Sequence, residues 1–166
     1  SFQDIRVHDG FLQNWQQVWS SVVEALTKWK NDSSSETKIY ITGHSLGGAM
    51  AVLSAIELQQ QHSELWSTVQ GIYTYGQPMV VDRADRDIAQ ERIGSKLYRH
   101  VYWNDLVPHL PPLSVGAYAH VGYELKSWGI PRRNSTDANK STYEWRQDNQ
   151  APPVVSVQAA APVAVT

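Results

Sequence analysis

The segment Gly43-His44-Ser45-Leu46-Gly47 constrains the chain more than any other, because of what stands on either side of it. Before it, Lys38-Ile39-Tyr40-Ile41-Thr42 is β-branched and aromatic and reads as a short buried strand. After it, residues 49–61 read as a helix with Met50, Leu53, Ile56 and Leu58 facing inward. A strand that becomes a helix across so short a stretch must turn sharply, and small flanking residues are needed where backbones approach too closely for Cβ atoms. A serine at the apex of such a turn is held on strained backbone with its Oγ above the sheet edge. The helix starting near Leu46 adds its N-terminal dipole, and the backbone N–H of Leu46 is placed to donate to an oxyanion.

The alternation continues along the chain. Over residues 11–29, Phe11, Trp15, Val18, Trp19, Val22, Leu26 and Trp29 recur at steps that fit an amphipathic helix. The tryptophans are read as core packing rather than a lipid-binding stripe, since Gln13, Gln17, Glu24 and Lys28 oppose them without a basic excess. A polar turn follows at 31–37, then strands at 69–75, 97–103 and 119–126, a charged helix at 82–93 and a Pro-rich loop at 104–116. Strands alternating with helices predict an α/β fold with a mostly parallel sheet covered on both faces. Beyond residue 130 the pattern fails. The expected organisation is one core over residues 1–130 and a tail over 131–166, polar and then Ala/Pro/Val-rich, acting as a linker or disordered end.

Composition narrows the function classes. A chain of 166 residues, 42% hydrophobic, suits one domain with one core. A formal charge of −2 with scattered Lys and Arg gives no field for a phosphate backbone, so no nucleic-acid partner is expected. Without cysteine, and without His-x₃-His or a carboxylate pair at ligand spacing, no metal or cofactor is expected. No apolar run approaches the ~20 residues of a transmembrane helix. Ser1-Phe2-Gln3-Asp4 lacks the regions of a signal peptide, but the chain does not begin with Met, which leaves the compartment open.

A serine alkoxide does not exist at neutral pH, so Ser45 needs a base and a carboxylate to orient that base. Asp105 directly follows the strand at 97–103 and is the candidate acid. Asp82, Asp85 and Asp87 follow an earlier strand but lie in an Arg-rich helix, where a solvated charged face is the default.

Several motifs now line up: Val7-His8-Asp9-Gly10-Phe11, the serine turn with Gly48-Ala49, Tyr75-Gly76-Gln77-Pro78, Asn104-Asp105-Leu106-Val107-Pro108-His109-Leu110-Pro111-Pro112, and Tyr118-Ala119-His120-Val121-Gly122-Tyr123-Glu124-Leu125. In this order and spacing, over about residues 5–128, the chain resembles the class 3 (fungal-type) lipases. The resemblance implies an α/β-hydrolase fold, Ser45 as nucleophile, Asp105 as triad acid and a serine carboxylic-ester hydrolase acting on esters of fatty or aromatic acids. The partner it implies is an ester or lipid substrate, met at a lipid–water interface. Two departures accompany it. The family's second oxyanion donor and lid precede the point where this chain begins. Its catalytic histidine follows the last strand, whereas no histidine occurs here after His120. The expectation is therefore a core truncated at its N-terminus and before the catalytic His, and the alternative to an enzyme is an incomplete fragment or scaffold that keeps the fold. Among the histidines present, His8 and His44 are read as packing residues, His62 as solvated, His100 as part of a strand and His109 as too near Asp105. His120 is the remaining candidate base, although it precedes the last strand.

Overall fold

The computed structural model describes residues 2, 4–33, 37–102, 104–112, 114–127 and 143–147, the last segment as backbone only. In chain order the elements are α1 (Asp9–Asp32), β1 (Ile39–His44), α2 (Leu46–Gln61), α3 (Ser63–Trp66), β2 (Val69–Tyr75), β3 (Val81–Asp82), α4 (Arg86–Ile93), β4 (Leu97–Tyr102), β5 (Tyr118–Ala119), β6 (Tyr123–Ser127) and β7 (Tyr143–Gln147). The main sheet runs β1-β2-β4-β6-β7. Its first four strands are parallel, and β7 pairs antiparallel with β6. His44 lies opposite Tyr75 and Tyr75 opposite His100, so β1, β2 and β4 finish side by side at their carboxyl ends. Ligands of open parallel sheets bind at that end.

The centre of the fold is α2, which buries Ala49, Ala51, Val52, Leu53, Ala55, Ile56 and Leu58. A helix apolar on more than one side must be covered on more than one side. The sheet covers α2 through Ile39, Val69, Ile72 and Leu97, and α1 covers it through Trp15 and Trp19, all within one hydrophobic cluster. The Trp15 indole N–H donates to Ser54 Oγ at 3.0 Å, which satisfies the buried polar edge of the ring. The expected core role therefore holds for Trp15 and Trp19, which stack at 4.8 Å, whereas Val18, Val22 and Trp29 of the same helix are exposed.

Two expectations are corrected. The sheet was expected to be covered on both faces. Among the described residues, the helices share the single cluster that also takes in Ile72 and Leu97. The opposite side chains form a tyrosine ladder, Tyr73–Tyr98–Tyr123, with rings 5.3 and 5.5 Å apart. Tyr40, Tyr75 and Tyr102 are exposed at 61%, 45% and 49%. The strand expected over 119–126 is divided: Tyr118–Ala119 pairs with β3 in a separate two-stranded sheet, and β6 begins only at Tyr123. The break is Gly122, at φ 83°, where a Cβ would collide with the Leu97 carbonyl. A further strand, Tyr143–Gln147, lies within the stretch read as a tail over 131–166. Its alternation of aromatic and charged residues has the period of a strand. The remainder of that tail, 131–142 and 148–166, lies outside the described residues.

Candidate active site

Ser45 connects β1 directly to α2, and its backbone adopts φ 53° and ψ −123°. Among the described residues it is the non-glycine residue with positive φ, a conformation that costs an L-residue roughly 1–3 kcal/mol and persists where the surroundings over-determine it. Those surroundings are visible. The Ser45 N–H donates to the Tyr75 carbonyl at 2.9 Å, and the Ser45 carbonyl accepts from Gly48 N–H at 2.9 Å and Ala49 N–H at 3.3 Å. Leu46 is thus the first residue of α2, where the helix dipole was expected, although the readable apolar period begins only at Ala49. By helix geometry its N–H has no partner within the helix.

The glycines around the serine differ in what they do. A Cβ on Gly43 would overlap the Gly47 carbonyl, and one on Gly48 would stand 3.1 Å from Gln77 Cβ. A Cβ on Gly47 would meet nothing within 4 Å. Close approach therefore explains Gly43 and, less severely, Gly48, but not Gly47. Gln77 is buried; it accepts from Thr74 Oγ1 at 2.7 Å and donates to the Pro78 carbonyl at 3.2 Å. The Tyr75-Gly76-Gln77-Pro78 motif, which carried no assigned role in the sequence, thereby braces the start of α2.

Asp105 follows β4 on a turn closed by its N–H donating to the Tyr102 carbonyl at 2.8 Å. Its Oδ1 accepts the Val107 N–H at 3.0 Å, which caps a 3₁₀ turn over Val107–His109. Its Oδ2 faces Gly76, whose φ is 55° and on which a Cβ would come within 2.5 Å of that oxygen. The serine turn is fastened to Tyr75 and the carboxylate lies against the next residue, so both reach the carboxyl end of β2. A cavity of about 240 Å³ opens there, lined by His44, Tyr75, Gly76, His100, Tyr102 and Asp105 among others. His44, read as a packing residue from sequence, is exposed and lines this cavity. His100 stacks on Tyr75 at 4.6 Å, and burial lowers its pKa.

His120 has a different setting. Its Nε2–H donates to the Pro108 carbonyl at 2.8 Å, and its Nδ1 is buried without a hydrogen-bond partner among the described residues. Burial first, then the neighbouring Arg99 charge, push its pKa down to about 3. An imidazole so held is neutral at pH 7 and has no exposed nitrogen for a serine proton. Among the described residues, no group of three or more His, Cys, Asp or Glu could hold a metal ion, and no helix is long and apolar enough to cross a membrane.

A serine at positive φ between a strand and a helix, at the carboxyl end of a mostly parallel sheet, defines an α/β-hydrolase. The chain belongs to the class 3 lipase family: residues 1–115 match the family described as Lipase (class 3). It is 40% identical over 120 residues to a lipase of Rhizomucor miehei, covering 72% of this chain and 32% of that protein. It is 34% identical over 125 residues to a secreted mono- and diacylglycerol lipase of Fusarium solani, covering 75% of this chain and 35% of that one. The chain thus spans about a third of the length of these curated relatives. Among solved structures, the Rhizomucor miehei lipase propeptide complex superposes with a TM-score of 0.63 at 38% identity, over 75% of this chain and 39% of that one.

Proposed function

We propose that this chain carries the nucleophile and the acid of a serine carboxylic-ester hydrolase of lipase type. Ser45 Oγ attacks the ester carbonyl, its proton passes to a base, and the charge that develops on the carbonyl oxygen is met by the Leu46 N–H at the start of α2. The alcohol leaves as that base returns the proton, and water then releases the acid from the Ser45 ester. Asp105 orients the base and stabilises its cation. The base is a histidine, for which the chain's own geometry favours none of the histidines present. The folded unit for this chemistry is the core of residues 1–130, extended by β7.

The observation that carries the reading is the Ser45 backbone at φ 53°, fastened to Tyr75. Backbone strain of this kind clusters at sites where it presents a reacting side chain. A lipid ester at a lipid–water interface is the proposed substrate, in keeping with the relatives being a lipase and a mono- and diacylglycerol lipase. The test is hydrolysis of p-nitrophenyl butyrate and of emulsified tributyrin by the full-length protein. Ser45→Ala is expected to lower kcat by about 10⁶-fold, and Asp105→Asn by about 10⁴-fold. Ester turnover that survives Ser45→Ala would overturn the assignment, and a wild type without turnover would favour a scaffold.

A further inference from the structure

The backbone of residues 120–122 is held by side chains from two neighbouring elements. Arg86 Nε donates to the His120 carbonyl at 3.2 Å, and Arg99 Nε donates to the Val121 carbonyl at 3.0 Å. Gln90 Oε1 accepts the Gly122 N–H at 2.7 Å. Arg99 is itself buried in the core, 1% exposed, and lies 3.5 Å from the Glu124 carboxylate. His120 therefore projects from a segment whose peptide groups are pinned to α4 and β4.

From this post the imidazole reaches the Asp105 loop. A carbonyl can only accept, so the 2.8 Å contact with Pro108 fixes His120 as the Nε2–H tautomer. Pro108 is buried. The Val107 N–H caps on Asp105 Oδ1 at 3.0 Å, and the far end of the loop is held where Met79 N–H donates to the Leu110 carbonyl at 2.7 Å. Two hydrogen bonds joined by the Val107–Pro108 backbone thus connect His120 to the Asp105 carboxylate.

We propose that His120 is a positioning residue, which sets the Asp105 carboxylate by anchoring the Pro108 carbonyl. The proposal rests on Asp105 being the triad acid. It also accounts for a buried histidine whose second nitrogen has no partner among the described residues: the site needs one neutral donor of fixed direction, and a cation there would stand beside Arg99.

The test is a double-mutant cycle in the full-length protein, read as kcat and KM for p-nitrophenyl butyrate. His120→Leu removes the donor, and kcat is expected to fall roughly 10–100-fold, the scale seen when a partner that orients a metal ligand is removed. KM is expected to stay within about twofold, because the ester is not touched. His120→Gln, whose amide nitrogen can reach Pro108, is expected to recover most of kcat, and His120→Asn, whose shorter amide cannot, is not. In an Asp105→Asn background the His120→Leu cost is expected to vanish, since coupled residues are not additive. An undiminished cost in that background, or wild-type kcat in His120→Leu, would overturn the positioning role while leaving Ser45 and Asp105 in place. Full activity in Asp105→Asn would overturn the acid and the positioning role together. If His120→Leu does not fold, the Gln and Asn variants decide: equal kcat for the two contradicts the proposal.

Discussion

The backbone N–H of Ser45 donates to the carbonyl of Tyr75 at 2.9 Å. That bond fastens the serine turn to the end of β2, one residue before Gly76, against which the Asp105 carboxylate lies. The position of Ser45 relative to Asp105, the proposed nucleophile and acid, is thus set by two consecutive residues at one strand end, and changes there should disturb chemistry before they disturb folding.

Gly43 and Gly47 make the sharpest comparison. Gly43→Ala places a methyl group on the Gly47 backbone, and overpacking of this kind costs about 1–3 kcal/mol. Gly47→Ala places one in open space within a helix, where alanine is favoured over glycine by about 0.5–1 kcal/mol. Urea unfolding midpoints of the two variants should therefore move in opposite directions. A similar loss in both would show that the turn needs Gly47 for a reason other than space.

Gly76→Ala acts on Asp105, the proposed acid. Its Cβ would come within 2.5 Å of Asp105 Oδ2 and 3.8 Å of His44 Nε2, at a φ of 55°. The carboxylate must shift, and a displacement near 1 Å costs about 10²-fold in rate. Steady-state kinetics should give a kcat loss of that order, and unchanged kcat would place the working acid elsewhere.

His120 predicts a pH dependence of stability. Its folded pKa lies near 3 against an ordinary 6.5, so above pH 6.5 both folded and unfolded chains hold it neutral and its contribution is complete. As pH falls from 6.5 toward 3 the unfolded chain takes up a proton that the fold cannot accommodate. Stability is then lost by up to about 1.4 kcal/mol per pH unit. His100, also lowered by burial, works in the same direction. Unfolding midpoints at pH 7 and pH 5 should differ less in His120→Gln than in the wild type; equal differences would contradict the burial of the imidazole.

The serine turn was legible because it is local: a β-branched run, a Gly-x-Ser-x-Gly motif and a helical period are all written within residues 38–61. Asp105 could be singled out because it directly follows a readable strand. What the sequence hid depends on contacts between distant residues. The break at Gly122 arises from its approach to the Leu97 carbonyl, and the bond from His120 to Pro108 joins two loops without periodicity. The start of α2 near Leu46 was read from the serine turn rather than from periodicity, because Gly47 and Gly48 are poor helix formers that only tertiary packing holds in the helix. That one sheet face carries no helix among the described residues escaped notice because tyrosines are compatible with either a buried or an exposed strand face.

The central claim, that Ser45 is the nucleophile, is tested most directly by covalent trapping. The full-length protein is treated with a fluorophosphonate until ester hydrolysis stops, digested and mapped by mass spectrometry. A single phosphonyl group on Ser45, absent from Ser45→Ala and formed in step with the loss of activity, is the predicted result. Complete inhibition with Ser45 unmodified, or with the adduct on another residue, would contradict it.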